Sequence, residues 1–336
     1  MTPVLVTGAT GTIGGAISRV LVRHGTRHRV FVRNPTAFAQ AVPGVEVAIG
    51  DFAAMASLDA AMDGIERVFL ASFDRPEQIA LQRNVLQAAK RAGVRHIVRM
   101  STMGVDRKPH VSIFDAHLEG ERQLEASGLD FTHLRPSWVM QNFYSFVVEN
   151  RIRLPVGYGR VAFVDAEDIA GVAASALTKA GHAGKAYELT GPEAITHHEV
   201  AGLLSAATGR TIDFEEIPPD VYDQEKVATG WPRSSIDSLL ALFAEIRAGK
   251  NDDATPNNTV ARVTGRPARN FAEFAKEYAG SAWAHGPHLD RTLAMPLDCE
   301  FFWFEYFSLL AHGSATGTLF LYFTVLADTH EEMLST

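Results

Sequence analysis

Along the first half of the chain the spacing of apolar positions switches repeatedly, and the switches mark the elements. Val4-Leu5-Val6 is a short unbroken apolar run, which predicts a buried parallel strand. Glycines follow at 8, 11 and 14, and Ile13, Ile17, Val20 and Leu21 then fall on one helical face. The alternation continues. Arg29 to Arg33 reads as strand two, ending at Asn34-Pro35, and Val45 to Ile49 as strand three, stopped by Gly50-Asp51. Ser57 to Met62 is a short helix and Arg67 to Ala71 strand four. Asp74 is placed to cap a helix running to Ala92, with Pro76 in its first turn, Glu77 at the reciprocal position and Gly93 closing it. His96 to Ser101 is strand five, Phe114 to Ser127 a helix, and Phe131 to Arg135 strand six. Strands separated by helices need parallel crossovers, which predicts an α/β protein with a doubly wound parallel sheet.

Beyond residue 150 helices dominate. Ile169 to Leu177 is an apolar helix and Ala186 to Leu189 a short strand. Thr196 and Glu199 form a capping box for Val200 to Thr208, which Gly209 ends. Asn270 and Glu273 repeat that signature ahead of the stripe Phe271, Phe274, Ala275 and Tyr278. The adjacent His197 and His198 point in different directions on a helix, without an acidic or cysteine partner at ligand spacing. They are expected to be solvated first-turn residues, with no metal bound. The expected organisation is a nucleotide-binding domain over residues 1–150, to which 160–190 return. A smaller, mostly helical substrate-binding region covers 191–283, and a tail covers 284–336.

Composition narrows the function classes. The 336 residues are 46% hydrophobic and 21% charged, with a net charge of −8, as expected of a soluble domain. The basic residues are dispersed, so the clustered face that nucleic acid requires is missing. The densest group, Arg23, His24, Arg27, His28 and Arg29, falls between a helix and a strand and reads as a solvated loop. Cys299 is the single cysteine, so neither an internal disulfide nor a cysteine zinc site can form. No charged segment precedes an apolar one at the start, and the expected location is the cytoplasm.

The chemistry begins at the glycine turn. Strand, Gly8-x-x-Gly11-x-x-Gly14 and helix together are the context of a dinucleotide cradle. Gly8 permits the sharp turn, Gly11 the approach of backbone to pyrophosphate, and Gly14 close helix packing. Thr10, Thr12 and Ile13 supply further backbone at a helix N-terminus that favours anions. An NAD site ends strand two with an acidic residue; here Arg33 stands there, suited to a 2′-phosphate and so to NADP(H). The alternative is that Arg33 stacks on adenine or faces solvent. Asp51 and Phe52, past strand three, are candidates for the adenine amino group and ring face.

Several further segments carry a family resemblance. Thr7 to Gly14, Val32 to Pro35, Gly50-Asp51-Phe52, Gly93 to Val98 and Leu134-Arg135-Pro136 resemble the NmrA-like atypical short-chain dehydrogenase/reductases. The likeness continues through Thr190 to Glu193, Ala207 to Arg210 and Thr264 to Pro267, and so covers about residues 3 to 283. It implies a Rossmann fold, NADP(H) as cofactor, and relatives among quinone, triphenylmethane and isoflavone reductases and festuclavine dehydrogenases. The Arg135 to Phe143 stretch is similar to the last group. Ordinary members of the wider family use a Tyr-x-x-x-Lys pair, at whose positions this chain has His117 and Glu121. Ser101 matches the usual serine. His117 is then a proton donor or a partner of the nicotinamide ribose or carboxamide, with Glu121 orienting it or merely making a surface contact. Such a site suits acceptors that need little acid catalysis, namely iminium ions, quinones and quinone methide-like dyes. Ser72 and Phe73, past strand four, are further cofactor candidates. Trp138, Met140, Asn142, Phe143 and Tyr144 are candidates for the substrate wall, Tyr144 also for catalysis, with core packing the competing role of the aromatic ones.

The tail departs from that pattern. Phe301 to Phe307 and Leu319 to Leu326 are strongly apolar around Gly313 to Gly317. A membrane anchor is disfavoured by the weakly apolar centre and the lack of basic flanks. Two apolar elements packing on the body, or on a second copy to form a homodimer, are expected instead. Two functions follow: an NADPH-dependent reductase of an electrophilic small molecule, or a non-catalytic NADP(H)-sensing regulator that binds a protein partner.

Overall fold

The computed structural model describes residues 3–35, 38, 45–71, 77–106 and 111–281. Strands β1 (Val4–Thr7), β2 (His28–Val32), β3 (Glu46–Ile49), β4 (Arg67–Leu70), β5 (His96–Met100) and β6 (Asp130–Pro136) carry the sheet of the first half. Two short strands, β7 (Val147–Val148) and β8 (Arg151–Leu154), then β9 (Arg160–Val161), precede β10 (Lys185–Leu189), and β11 (Ile195–Thr196) follows it to pair with β9. The large sheet has the order β3-β2-β1-β4-β5-β6-β10, and every pairing in it is parallel. This is the doubly wound arrangement, with its switch point between β1 and β4.

Alternation along each strand sends side chains to two cores. Val98 and Met100 face one cluster with Val4, Val6 and Leu134, whereas Ile97 faces the other with Leu5 and Val68. The first face is covered by α1 (Thr12–Arg23) and, later in the chain, by the helix Ala166–Thr178. The second carries α2 (Met55–Met62), α3 (Gln78–Ala92) and α4 (Ser112–Glu125). The predicted start of α3 at Asp74 and Pro76 lies outside the described residues, as do Ser72 and Phe73. His28 does not lie in a solvated loop: it begins β2, buried, with a 2.7 Å hydrogen bond between its ring nitrogen and the Ser18 hydroxyl.

A third cluster forms the smaller region, built from Phe143, Ile152, Leu204, Phe243, Phe271 and Phe274 among others. After a four-residue α5 (Phe143–Phe146), β8 is flanked by β7 and by the later β12 (Asp213–Glu216). With the helix Ala166–Thr178 as α6, the region's helices are α7 (His197–Thr208), α8 (Pro219–Ala228), α9 (Arg233–Arg247) and α11 (Phe271–Ala279), while α10 (Thr259–Thr264) returns to the first core, packing on α6 and β10. Both predicted capping boxes, Thr196 with Glu199 and Asn270 with Glu273, are formed. The histidine pair splits: His198 is exposed, but His197 is 2% exposed and surrounded by Phe143, Phe163 and Phe214, so its expected solvation is corrected. Among the described residues no helix is long and apolar enough to cross a membrane. The tail and its suggested dimer contact fall outside the described residues.

Candidate functional site

The glycine turn closes as the strand–helix junction requires. Gly8 takes φ +65° and Gly11 N–H donates to the Gly8 carbonyl at 3.0 Å, which reverses the chain within three residues. Gly11 is then the extended N-cap of α1, whose first turn holds no acidic residue. A Cβ at Gly14 would lie 2.1 Å from the Gly8 carbonyl oxygen and 2.9 Å from the Ala9 nitrogen. Only a hydrogen fits there, so Gly14 fixes the turn itself as much as it fixes helix against sheet. The free N–H groups of Thr12 and Ile13 and the positive helix end open outward from this turn, a fit for a pyrophosphate.

Arg33 follows β2 at the carboxyl end of the sheet and is exposed. The Asp51 carboxylate accepts from the Ala53 N–H at 2.7 Å, ordering the loop past β3. Phe52 stacks on Phe31, with ring centroids 5.8 Å apart and planes inclined by 7°.

A cavity of about 260 Å³ opens over the carboxyl ends of β5 and β6. Ser101, His117, Trp138 and Asn142 line it from the Rossmann side; Lys226 and Trp231 line it from the helical region. The Ser137 hydroxyl, buried in the wall, has no hydrogen bond among the described residues, whereas the buried Ser101 hydroxyl beside it is close enough to act on the Glu121 carboxylate. A buried hydroxyl without a partner in a cavity wall is suited to a ligand. Ser101 and His117 are thus brought to one wall of the cavity.

Glu121 is neither an exposed contact nor an orienting partner of His117. It is 1% exposed and grips Arg135 of β6 with two bonds, Nε to Oε1 at 3.0 Å and Nη2 to Oε2 at 2.6 Å. Arg135 also donates to Asp106 at 2.8 Å. Burial alone would raise the Glu121 carboxyl, but the Arg135 guanidinium, with His133 adding to it, outweighs this and holds it below the usual value. Glu121 therefore ties α4 to β6 and holds the helix that presents His117. Its carboxylate also approaches Glu125 and His133 closely enough for a shared cation, but Arg135 already occupies both of its oxygens.

The other wall candidates separate. Met140 and Phe143 are fully buried in the third core rather than on the cavity. Tyr144 turns away from the cavity to stack on Tyr278, ring centroids 5.6 Å apart, and meets Phe274 edge-on. Burial and the carboxylates of Glu277 and Asp165 push its phenol up to about 12, which is no setting for a proton donor near neutral pH. A two-residue spacing decides this, because Asn142 ends a 3-10 turn from Met140 and Tyr144 lies about half a helical turn on. Lys226, Arg153 and Phe146 line the cavity without having been anticipated. A half-buried lysine on an otherwise solvated helix carries no local sequence signal.

Residues 2–275 match the NmrA-like family, and the chain belongs to that family. It is 37% identical over 287 residues to the NAD(P)H azoreductase of Xenophilus azovorans, covering 83% of this chain and 98% of that one. It is 36% identical over 282 residues to a (4-alkanoyl-5-oxo-2,5-dihydrofuran-3-yl)methyl phosphate reductase of Streptomyces griseus, covering 82% of this chain and 98% of that one. Its fold is similar to a crystal structure of the NADPH-dependent quinone oxidoreductase of Escherichia coli complexed with NADPH. There the TM-score is 0.71 at 28% identity, over 82% of this chain and 99% of the other.

Proposed function

We propose that this oxidoreductase uses NADPH to reduce an electrophilic small molecule, such as a quinone, an iminium ion or a related aromatic or heterocyclic acceptor. One observation carries the reading. The glycine cradle after β1 and the cavity after β5 lie at the same end of one parallel sheet, two strands apart in its order. At the usual strand spacing that separation is about 10 Å, within the reach of a dinucleotide extended along that edge. The family membership and the NAD(P)H-dependent relatives support the same cofactor.

In this proposal the segment Gly8 to Gly14, with Thr10, Gly11, Thr12 and Ile13, holds the pyrophosphate. Arg33 grips the 2′-phosphate, and Asp51 and Phe52 flank the adenine. Ser101 and His117 hold the nicotinamide end, while Trp138 and Asn142 face the acceptor. NADPH, when bound, supplies the hydride. The chain's own residues then position the acceptor and exclude water from a largely apolar wall. An acceptor that already withdraws electrons strongly needs no Tyr-Lys pair, and His117 and Glu121 at those positions supply none.

The reading is tested by following loss of NADPH absorbance with a panel of quinones, cationic dyes, azo compounds and cyclic imines. Turnover of at least one class is expected. Micromolar NADPH binding without turnover of any would instead make the chain a nucleotide-responsive binding protein. The Arg33→Ala variant is expected to weaken NADPH by about 10- to 100-fold, the size of one or two charge-assisted hydrogen bonds. NADH binding should change less than about threefold by the same accounting. Equal losses for the two nucleotides would remove the 2′-phosphate assignment. Full turnover by His117→Ala would exclude it as an obligatory acid.

A further inference from the structure

The turn after β6 gives its residues different duties. Met140 is buried in the third core, and the Gln141 side-chain oxygen accepts from the Ala166 N–H at 3.0 Å, at the start of α6. Asn142 is left to the cavity. Its backbone is pinned on both sides, the N–H donating to the Val139 carbonyl at 3.0 Å and the carbonyl accepting from the Ser145 hydroxyl at 2.9 Å. Its side-chain amide makes no hydrogen bond among the described residues. Ser137, earlier in the same segment, is similar. Its N–H donates to the Leu189 carbonyl at 2.8 Å, while its hydroxyl is the unpartnered one in the wall. Both side chains are neutral and both can donate. Because the backbone that carries them is already bonded, these donors are positioned before a ligand arrives.

The charged groups of the lining are matched among themselves. Arg151, Arg153 and Lys226 are equalled in number by Glu225, Asp252 and Asp253. Arg153 pairs with Glu225 and, at 3.3 Å, with Glu215, which Arg151 approaches at 3.6 Å. Lys226 lies against Tyr222 and Trp231, its Nζ 5.1 Å from each ring centroid, within the field of Glu225. Asp253 accepts from the Asn251 amide at 2.5 Å. An ion entering this cavity would give up its hydration and find no surplus of opposite charge. A neutral ligand leaves the pairs intact. Trp138, stacked on Phe243 with centroids 5.6 Å apart, and Phe146 offer such a ligand an aromatic surface.

We infer that the acceptor is an uncharged conjugated carbonyl compound whose carbonyl oxygens accept from the Asn142 amide and the Ser137 hydroxyl, and that Asn142 selects it against cationic acceptors. This rests on the reductase reading for the word acceptor and narrows it, but the hydrogen bonds themselves need no turnover. An iminium ion has no oxygen for these donors, so it would leave both unmet while burying its own charge. A carboxylate of the same shape at position 142 would reverse the choice, because it repels a carbonyl oxygen and attracts a cation.

The probes are 2-methyl-1,4-naphthoquinone and the 2-methyl-3,4-dihydroisoquinolinium cation, two bicycles of similar size, titrated into the full chain by calorimetry at neutral pH with saturating NADP+. The quinone is expected to bind about tenfold or more tightly, the size of one or two hydrogen bonds. Asn142→Asp should weaken the quinone by about tenfold and tighten the cation by about as much, so that the preference reverses. Ser137→Ala, which removes a single oxygen, should weaken the quinone by about threefold and leave the cation unchanged. Side chains that served only as packing would shift both probes alike. Equal affinities in the unsubstituted protein, or an unreversed preference in a folded Asn142→Asp, overturns the inference. Where that variant does not fold, equal changes for the two probes in Ser137→Ala overturn it. The expected pattern of binding with no NADPH oxidation by the quinone would uphold the hydrogen-bonding site while counting against the reductase reading.

Discussion

Replacing Gly14 by alanine is expected to cost the protein both its nucleotide and a substantial part of its stability. The added Cβ would sit 2.1 Å from the Gly8 carbonyl oxygen and 2.5 Å from its carbon. Both are backbone atoms, so no rotamer change relieves the overlap. The turn must open or α1 must lift from the sheet, and overpacking of this kind costs about 1–3 kcal/mol or more. Either movement displaces the N–H groups of the first turn. Losing one or two charge-assisted contacts to phosphate would weaken NADPH binding by about 10- to 100-fold. Gly202, exposed in the middle of α7, is the internal control, because a Cβ there meets nothing within 4 Å. Gly202→Ala should instead stabilise by up to about 1 kcal/mol through helix propensity and leave NADPH affinity unchanged. The pair is read by urea denaturation and by fluorescence titration with NADPH. Equal behaviour of the two variants would sink the steric argument.

That contrast illustrates what the sequence carries and where it stops. The glycine turn was legible because its three constraints are local: a sharp turn, a helix start and a close approach lie within seven residues. The parallel strands were legible for a similar reason, since burial on both faces leaves short unbroken apolar runs such as Val4 to Val6 and Ile97 to Val98. Even the two capping boxes could be read, because each joins residues three apart. Glu121 failed this test. Its partner Arg135 lies on a strand 14 positions later, and only the packing of α4 on β6 brings them together. The direction of Tyr144 depended on where α11 would lie, more than a hundred residues on, and that of Lys226 on the two rings that flank it. The short parallel pair β8 and β12, with 58 residues between Leu154 and Asp213, escaped for want of any long apolar run. Side-chain direction in the helical region is set by tertiary contacts, and so the substrate wall was the least readable part of the chain.

His197 shows the same divide and leads to a second large effect, on stability in mild acid. Burial among phenyl rings pushes its imidazole down to about 3, with His198 adding a little repulsion. His96 is pushed down to about 4, first by burial and then by Arg67. Its Nε2 lies 2.9 Å from the Thr132 hydroxyl, which itself donates to the His182 carbonyl, so His96 must be the donor in that pair. Protonation would leave this bond intact; the penalty is the buried charge. Both folded values lie below the unfolded value, so the unfolded chain binds more protons in acid. The stability they contribute is complete above about pH 6.5, is lost progressively as the pH falls below that, and is gone once the pH has fallen through about 4 and about 3. Between pH 7 and pH 5 the two together should remove about 4 kcal/mol. Asp168 opposes them: burial raises its carboxyl to about 6, so its protonation on the way down restores about 1 kcal/mol. The net for these three groups, about 2 kcal/mol, is a large fraction of a typical domain's stability. Urea midpoints measured at pH 7.5 and pH 5 should therefore fall sharply with acid. His197→Phe, whose ring can join Phe143, Phe163 and Phe214, should remain folded at neutral pH and lose roughly half of the histidine-driven dependence. An unchanged pH dependence in that variant would mean that His197 is not buried in the neutral form, and the core around it would have to be redrawn.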